Sequence, residues 1–216
     1  MTPKEFLEKT KNIKQYVSLT ENREDRYTLM CECIQNLIPG ICIEFGVFQG
    51  TTINICSSKR PDYLFYGFDS FIGLPEAWRE GHPVGHFNLG GNMPMVNQNV
   101  KLIKGWFSDT LDEFLIDINS DVSFLHVDCD IYSSSKFVLD KLSKRLRVGT
   151  VILFDEFYNY PGWDTKSGFG RDEYDEKGAG EFRAWFEFLE ENPNIKFEWF
   201  GCNIDSEQVA VKITSI

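Results

Sequence analysis

Short apolar runs alternate with amphipathic segments along most of the chain, and this alternation predicts the fold. Apolar runs bounded by turn residues are typical of buried strands, whereas apolar residues three or four apart indicate helices. The pattern predicts strands at residues 41–45, 63–68, 100–104, 122–127 and 150–154. It predicts helices between them at residues 51–57, 111–118 and 134–147. Such alternation gives an α/β fold with a doubly wound, mostly parallel Rossmann-like sheet and helices on both faces.

The two ends of the chain add elements to this sheet. Near the N-terminus, Thr2-Pro3-Lys4-Glu5 and Ser18-Leu19-Thr20-Glu21 have the composition of capping boxes, so each predicts the start of a helix. After a helix at residues 180–190, runs at 196–202 and 208–213 predict a C-terminal antiparallel hairpin. We therefore expect a helical extension at residues 1–40 and one α/β domain at residues 41–216.

Two long segments rich in glycine and polar residues interrupt the alternation, at residues 70–99 and 157–179. Each follows the carboxyl end of a predicted strand, which is where open α/β sheets bind ligands. Long loops in a compact domain are often functional lids. We expect both segments to be lids that are mobile until a ligand binds, with Tyr158, Tyr160 and Trp163 either shaping a pocket or only folding the second loop over the core.

Composition excludes several classes of partner. The 216 residues carry a formal net charge of −11, which disfavours nucleic acid and anionic membrane surfaces. No apolar run is long enough to span a bilayer, and the N-terminus lacks an apolar signal core. None of the six cysteines forms a C-x-x-C pair, so free thiols in a cytoplasmic protein are expected. The sequence leaves the oligomeric state open, and a homo-oligomer is one of the alternatives.

The turn after the first predicted strand has an E-x-G-x-x-x-G pattern built from Glu44, Gly46 and Gly50. Glycines there allow close approach of a ligand, and Thr51 begins a helix whose free N–H groups would face it. The G-x-G-x-x-G pattern of dinucleotide sites fails here at Glu44 and Gln49, and a carboxylate would repel a pyrophosphate. S-adenosylmethionine, which is cationic and lacks phosphate, fits; a tight turn without a ligand is the alternative.

Further polar residues follow the next two strands. Asp69 ends the second strand, where a carboxylate can accept hydrogen bonds from ribose hydroxyls, although it could instead cap the turn at Ser70. After the third strand, Trp106 and Ser108 could hold an adenine by stacking and hydrogen bonding. Alternatively, Trp106 is a core residue and Ser108 or Asp109 caps the next helix.

The fourth and fifth strands end in a group of acids. Because the carboxyl ends of parallel strands share one rim, Asp128, Asp130, Asp155 and Glu156 are expected to converge. Carboxylates brought together in this way are costly unless a cation neutralises them, and oxygen ligands suit Mg²⁺ or another divalent cation. The alternative is a solvated acidic rim without metal. His126 precedes these acids inside a strand, where a core histidine is the expected reading.

Five stretches carry a family resemblance: IEFGVFQGTT, YGFDSFIGLPEAW, KGWFSDTLDEFL, FLHVDCDIYSSS and GTVILFDEF. Together they resemble class I S-adenosylmethionine-dependent methyltransferases, and more closely the macrocin O-methyltransferase (TylF/MycF-type) sugar enzymes. The resemblance implies S-adenosylmethionine at Glu44, Gly46, Asp69, Ser70 and the Trp106–Ser108 turn. It implies Mg²⁺ on Asp128 and the pair Asp155-Glu156. That pair is usually Asp-Asp in the antibiotic-sugar enzymes, which leaves open whether Glu156 binds the metal directly or through water.

The sequence therefore predicts a divalent-metal-dependent O-methyltransferase that acts on a sugar or another small polyol. Asp128 is expected to be a metal ligand and the general base, and Asp130 to support it or to bind the cofactor's ammonium. A metal-independent N-methyltransferase, a dinucleotide oxidoreductase and a non-catalytic cofactor-binding subunit are the alternatives. The identity of the acceptor stays open.

Overall fold

The computed structural model describes residues 3–20, 22–158 and 180–216, with side chains from Glu8 onward. Its strands are β1 Ile41–Phe45, β2 Phe65–Asp69, β3 Val100–Lys104, β4 Val122–Val127, β5 Val151–Phe154, β6 Lys196–Asn203 and β7 Gln208–Ser215. Its helices are α1 Pro3–Leu19, α2 Arg26–Cys33, α3 Thr51–Lys59, α4 Phe107–Asp117, α5 Tyr132–Leu142 and α6 Gly180–Glu191. Among these helices, none is both long and apolar enough to cross a membrane.

One seven-stranded sheet has the order β3-β2-β1-β4-β5-β7-β6. The five strands β1 to β5 are parallel, and β7 pairs antiparallel with both β5 and β6. This confirms the predicted doubly wound sheet with a C-terminal hairpin. The reversal of strand order lies between β1 and β4, so the carboxyl ends of these strands border the crevice in which such sheets bind ligands.

Helix α1 begins at Pro3, where the first capping pattern predicts it, but α2 does not begin where the second pattern predicts. Ser18 and Thr20 lie at the end of α1, where their hydroxyls donate to the carbonyls of Gln15 and Tyr16, each at 2.8 Å. Such bonds back to the preceding turn compete with capping of a following helix. Helix α2 is instead capped by Asp25, whose Oδ1 accepts from two backbone N–H groups at 2.8 Å. The predicted helix start at residues 18–21 is therefore wrong.

Alternation along the strands sorts side chains onto the two faces of the sheet. Ile43 and Phe45 pack in the cluster that contains residues of α1, α4, α5 and α6. Cys42, Phe124 and Leu153 pack on the other face, in the cluster that contains residues of α2 and α3. Helix α2 therefore contributes directly to the core of the sheet. The predicted boundary at residue 40, between a helical extension and the α/β domain, stays a prediction.

The first long segment, residues 70–99, is held by local and distant contacts. The backbone of Leu74 bonds that of His86 and Gly85, and Arg79 pairs with Glu207 of the β6–β7 turn at 2.8 Å. These contacts hold residues 70–99 beside the sheet. The predicted mobility of this segment in solution stays a prediction. In the second segment, residues 159–179 lie outside the described residues, and the predictions for Tyr160 and Trp163 lie there with them.

Gly46 is required where β1 meets β4. Its φ is +92°, and a Cβ at this position would lie 1.6 Å from the backbone oxygen of Asp128. A backbone atom cannot move aside as a flexible side chain can, so an added methyl group would push the ends of the two strands apart. Gly46 is thus needed by the sheet itself, independently of any ligand.

We predict that Gly46→Ala destabilises the fold by about 3 kcal/mol or more, a size that indicates a clash in the core. Gly81→Ala is the matched control, because Gly81 has a φ of +83° but no atom within 4 Å of an added Cβ. That control should cost only the left-handed backbone penalty of about 1–2 kcal/mol. Urea unfolding of both variants measures the difference, and equal losses would show that the approach to Asp128 is unimportant.

Candidate functional site

A cavity of about 760 Å³ opens at the carboxyl ends of β1, β2, β4 and β5. It brings together most of the residues that the sequence predicts for the site: Gly46, Thr51, Asp69, Ser70, Trp106, Ser108, Asp128, Asp130, Asp155 and Glu156. Glu44 and Gly50 are outside its lining. Gly50 serves the turn instead, with a φ of +78° at the start of α3 and a hydrogen bond from its N–H to the carbonyl of Val47.

Glu44 turns toward the interior of the protein. Its carboxylate accepts from Thr52 Oγ1 and from His126 Nδ1, each at 2.9 Å, and its side chain is 3% exposed. Glu44 and His126 are register partners on β1 and β4, so both lie on the face covered by α2 and α3. The predicted place of Glu44 in the S-adenosylmethionine site is therefore not supported by its position.

Asp69 organises the glycine turn from the end of β2. Its Oδ2 accepts from the N–H groups of Val47 and Phe48 at 2.9 and 2.8 Å, and its Oδ1 accepts from Phe71 at 2.6 Å. An ionised carboxylate offers about four lone-pair sites, so Oδ1 retains room for one further donor from the cavity. Ser70 also closes this turn, donating to the carbonyl of Gly73 at 3.2 Å.

Trp106 stands at the start of α4 and lines the cavity half-buried, outside the two core clusters. Helix α4 begins at Phe107, four residues before the predicted start, and has no side-chain cap at its N-terminus. Ser108 is exposed, and its hydroxyl donates to Asp109 at 2.9 Å. The helix therefore presents uncapped backbone N–H groups beside an indole, an arrangement that suits a flat heterocycle.

A buried polar row crosses the sheet below the acidic rim. Asp155 accepts from Arg26 Nη2 on both oxygens, at 2.7 and 2.5 Å, and its Oδ1 also accepts from Gln208 Nε2. His126 Nε2 lies 3.5 Å from the same Oδ1. The row thus runs from Glu44 on β1 through His126 on β4 to Asp155, which is fixed by α2 and β7.

Asp128, Asp130 and Glu156 form the part of the cluster that faces the cavity, and their nearest carboxylate oxygens lie within 4.8 Å of one another. Asp130 has a φ of +65°, and the N–H of Ile131 bonds the carbonyl of Cys129 across it at 2.6 Å. This is the rarer, strained form of γ-turn, a conformation that functional sites often retain. Glu156 Oε2 is buried without a hydrogen-bond partner.

The protonation of the cluster follows from burial and mutual repulsion. Burial, together with the neighbouring charge of Asp155, raises the pKa of Asp128 well above its usual value and that of Asp130 to about 7. The same causes raise the pKa of Glu156. Burial also raises the pKa of Asp155, but His126 and Arg26 outweigh it and hold that pKa at about 2. Asp155 is therefore the most acidic member of the group.

Three residues of the cluster were not assigned to it from the sequence. His126 is buried as expected, but it links two carboxylates, and burial is outweighed by Asp155 and Glu44, which raise its pKa well above the usual value. Its place two residues before Asp128, on the same face of β4, was the available signal. Arg26 and Glu181 gave no sequence signal, because they belong to helices far from the acids along the chain. Glu181 is buried and accepts a hydrogen bond from the N–H of Glu156 at 3.1 Å.

Comparison with known proteins finds one relative by sequence and several solved structures with a similar fold. A curated relative, demethyldecarbamoylnovobiocin O-methyltransferase of Streptomyces niveus, is 25% identical over 157 residues, covering 60% of this chain. The match spans 57% of that protein, a little over half its length. The fold resembles that of the calicheamicin methyltransferase CalS11, with a TM-score of 0.61, 19% identity and coverage of 86% of this chain and 76% of CalS11. It also resembles a Bacillus cereus O-methyltransferase solved with SAH, with a TM-score of 0.57, 14% identity and coverage of 98% and 91%.

A family model described as a methyltransferase domain matches residues 43–157. The match covers more than half of the chain. It runs from β1 to the residues just after β5, where Asp155 and Glu156 lie. It therefore includes the glycine turn, Asp69, the start of α4 and the four acids that line the cavity. The chain belongs to this methyltransferase-domain family.

Proposed function

We propose that this protein is an S-adenosylmethionine-dependent O-methyltransferase that acts on a sugar or another small polyol with the help of a divalent cation. The observation that carries the proposal is the convergence of Asp128, Asp130, Asp155 and Glu156 on one cavity beside the glycine turn. The O-methyltransferase from Streptomyces niveus supports the choice of oxygen as the acceptor atom. A cavity of about 760 Å³ lies in the range of small-molecule sites and leaves room for both cofactor and acceptor.

The part of the cavity proposed to hold the cofactor lies between the turn after β1, Asp69 and the start of α4. In this arrangement Asp69 Oδ1 would accept a hydrogen bond from a ribose hydroxyl, and Trp106 with the uncapped N–H groups of α4 would hold the adenine. Asp130 would bind the ammonium, which is one of the two roles predicted for it.

The donor set of the acidic rim fits a hard divalent cation. The carboxylates of the cluster outnumber its two cations, Arg26 and His126, and the buried Glu156 Oε2 has no hydrogen-bond partner. Such a group is stable when a cation neutralises it. Asp128 and Glu156, with Asp155, would hold the ion, and a bound ion would lower the pKa of an acceptor hydroxyl as a Lewis acid.

The remaining steps rest on the protein's own groups. Asp128 and Asp130 both face the acceptor side of the cavity, and either can receive the proton that leaves the hydroxyl. A base works best with a pKa near the operating pH. Asp128 is the expected base, and Asp130, whose pKa burial raises to about 7, is the alternative if it does not hold the ammonium. One of these carboxylates would take the hydroxyl proton while the acceptor oxygen takes the methyl group in line, which would leave the cofactor's sulfur as a neutral thioether. The protein's contribution is then positioning and charge stabilisation.

We predict that Asp69→Ala weakens S-adenosylmethionine binding by about 1.5–3 kcal/mol, because it removes a charge-assisted hydrogen bond to the cofactor and the two bonds that order the glycine turn. Isothermal titration calorimetry measures the affinity. Asp62→Ala is the control, since Asp62 is an exposed carboxylate that pairs with Arg60 outside the cavity. Unchanged affinity in a folded Asp69→Ala protein would remove Asp69 from the cofactor site.

We also predict that EDTA abolishes methyl transfer and that Mg²⁺ restores it. Asp128→Asn should reduce turnover by at least about a hundredfold and leave S-adenosylmethionine affinity within about threefold of the wild type, because the ion serves the acceptor. Glu156→Gln should cost less if Glu156 acts through water. A screen of sugars and polyols by mass spectrometry supplies the acceptor, and full transfer in the chelated enzyme would refute metal dependence and favour N-methylation.

A further inference from the structure

Arg26 places a positive charge inside the acidic cluster. It is the first residue of α2, and it lines the cavity together with Asp128, Asp155 and Glu156. Its Nη2 lies 2.7 Å from Asp155 Oδ1 and 2.5 Å from Oδ2, so it occupies the opening between the two carboxylate oxygens. A cation chelated by Asp155 would take the same position. The Nε of Arg26 is buried without a hydrogen-bond partner.

The other contacts of Asp155 leave it little freedom. Oδ1 accepts from Gln208 as well as from Arg26 and lies 3.5 Å from His126 Nε2, so this oxygen is surrounded by donors. Oδ2 has Arg26 as its one hydrogen-bond donor among the described residues. Oδ2 is therefore the oxygen that a metal ion could reach, and reaching it means displacing the guanidinium.

We infer that Arg26 is a built-in competitor of the divalent cation, and that Asp155 joins the metal's ligands only when the guanidinium withdraws from it. This inference rests on the proposed function, since it concerns the same cation. Asp128 and Glu156 face the cavity and accept no hydrogen bond from a basic side chain among the described residues, although His126 Nε2 lies 4.0 Å from Asp128 Oδ2. They therefore form the more open part of the site. Arg26 controls the remaining part and limits metal affinity in the protein without acceptor.

Two effects of Arg26 both weaken the binding of a divalent cation. The guanidinium occupies a ligand position, and its charge repels a second cation a few ångströms away, an interaction that remains strong near a protein interior. Because Arg26 belongs to α2, which packs against β5 and β7, withdrawal of its side chain links metal binding to the N-terminal helices. A single nitrogen, Nη2, meets both oxygens of Asp155, so a lysine ammonium in the same place would keep both the charge and the competition.

Titration with Mn²⁺ alone, followed by the electron paramagnetic resonance signal of the free ion, tests this without any activity measurement. Arg26→Gln should bind Mn²⁺ roughly tenfold more tightly than the wild type, because both competition and repulsion are removed. Arg26→Lys, which keeps the charge, should stay within about threefold. Arg147→Gln is the control: Arg147 pairs with Asp121 at the surface, near the amino end of β5 and outside the cavity, and its loss should leave affinity unchanged.

Asp155→Asn supplies the second half of the test. If Asp155 becomes a ligand when Arg26 is absent, Asp155→Asn should weaken Mn²⁺ binding at least about fivefold more in the Arg26→Gln background than in the wild type. A purely structural role of Arg26 would not tighten metal binding in this way. Circular dichroism and thermal unfolding establish that each variant is folded, and the double variant removes both partners so that no buried charge is left unpaired.

Each result decides the inference. Tighter binding by Arg26→Gln together with the larger Asp155→Asn effect supports it. It is overturned if Arg26→Gln binds equally or more weakly, if Asp155→Asn has the same effect in both backgrounds, or if none of the proteins binds the ion. Methyl transfer measured in EDTA decides the proposed function separately, so the two failures are distinguishable.

Discussion

The buried ionic row from Glu44 through His126 to Asp155 and Arg26 is the interaction on which the rest of this site depends. It crosses β1, β4 and β5 and ends on α2, so it joins the centre of the sheet to the N-terminal helices. Removing one member of such a row leaves an uncompensated charge in the interior, which is far more costly than the net gain from the pair itself. The row therefore fixes the height and orientation of the strand ends, and with them the positions of Asp128 and Glu156 above it.

Much of the cavity was predictable because parallel strands bring their carboxyl ends to one rim. Asp69, Asp128, Asp130, Asp155 and Glu156 were identified from their places after predicted strands, and all of them line one cavity. Position along a strand was sufficient for these residues, because topology alone brings them together. The chemistry that each performs stays a proposal, since convergence does not reveal which oxygen meets which ligand.

Residues whose role depends on the direction of a side chain, or on a distant element, were not predictable in the same way. Glu44 ends β1 like the other acids, but its place in the alternation turns it toward α3, where Thr52 and His126 hold it. Arg26 reaches Asp155 from 129 positions away, a contact that no local pattern records. The start of α2 shows the same limit, since two hydroxyls that look like caps bond backward into α1, and Asp25 caps the helix instead.

The glycine turn illustrates why one pattern supported two interpretations. Gly46 lines the cavity, as a ligand-binding glycine should, yet the carbonyl of Asp128 already forbids a side chain there. Position 46 therefore requires glycine for two reasons. The backbone after β4 approaches it closely, and a side chain would fill part of the cavity beside the turn. A sequence pattern cannot separate these demands, because each requires the same absence of a Cβ.

The division of the acids into a fixed member and free members bears on how the proposed reaction would proceed. Carboxylates near a sulfonium stabilise the cationic cofactor more than the neutral thioether it becomes, and this difference alone opposes methyl transfer. Positive charge close to the acceptor oxygen acts in the opposite sense, because it favours the developing alkoxide. Asp155 is neutralised by Arg26, whereas Asp128, Asp130 and Glu156 have their pKa values raised by burial and crowding. The proposed exchange of Arg26 for a divalent cation would keep a positive charge beside the acceptor oxygen while the positive charge on sulfur disappears.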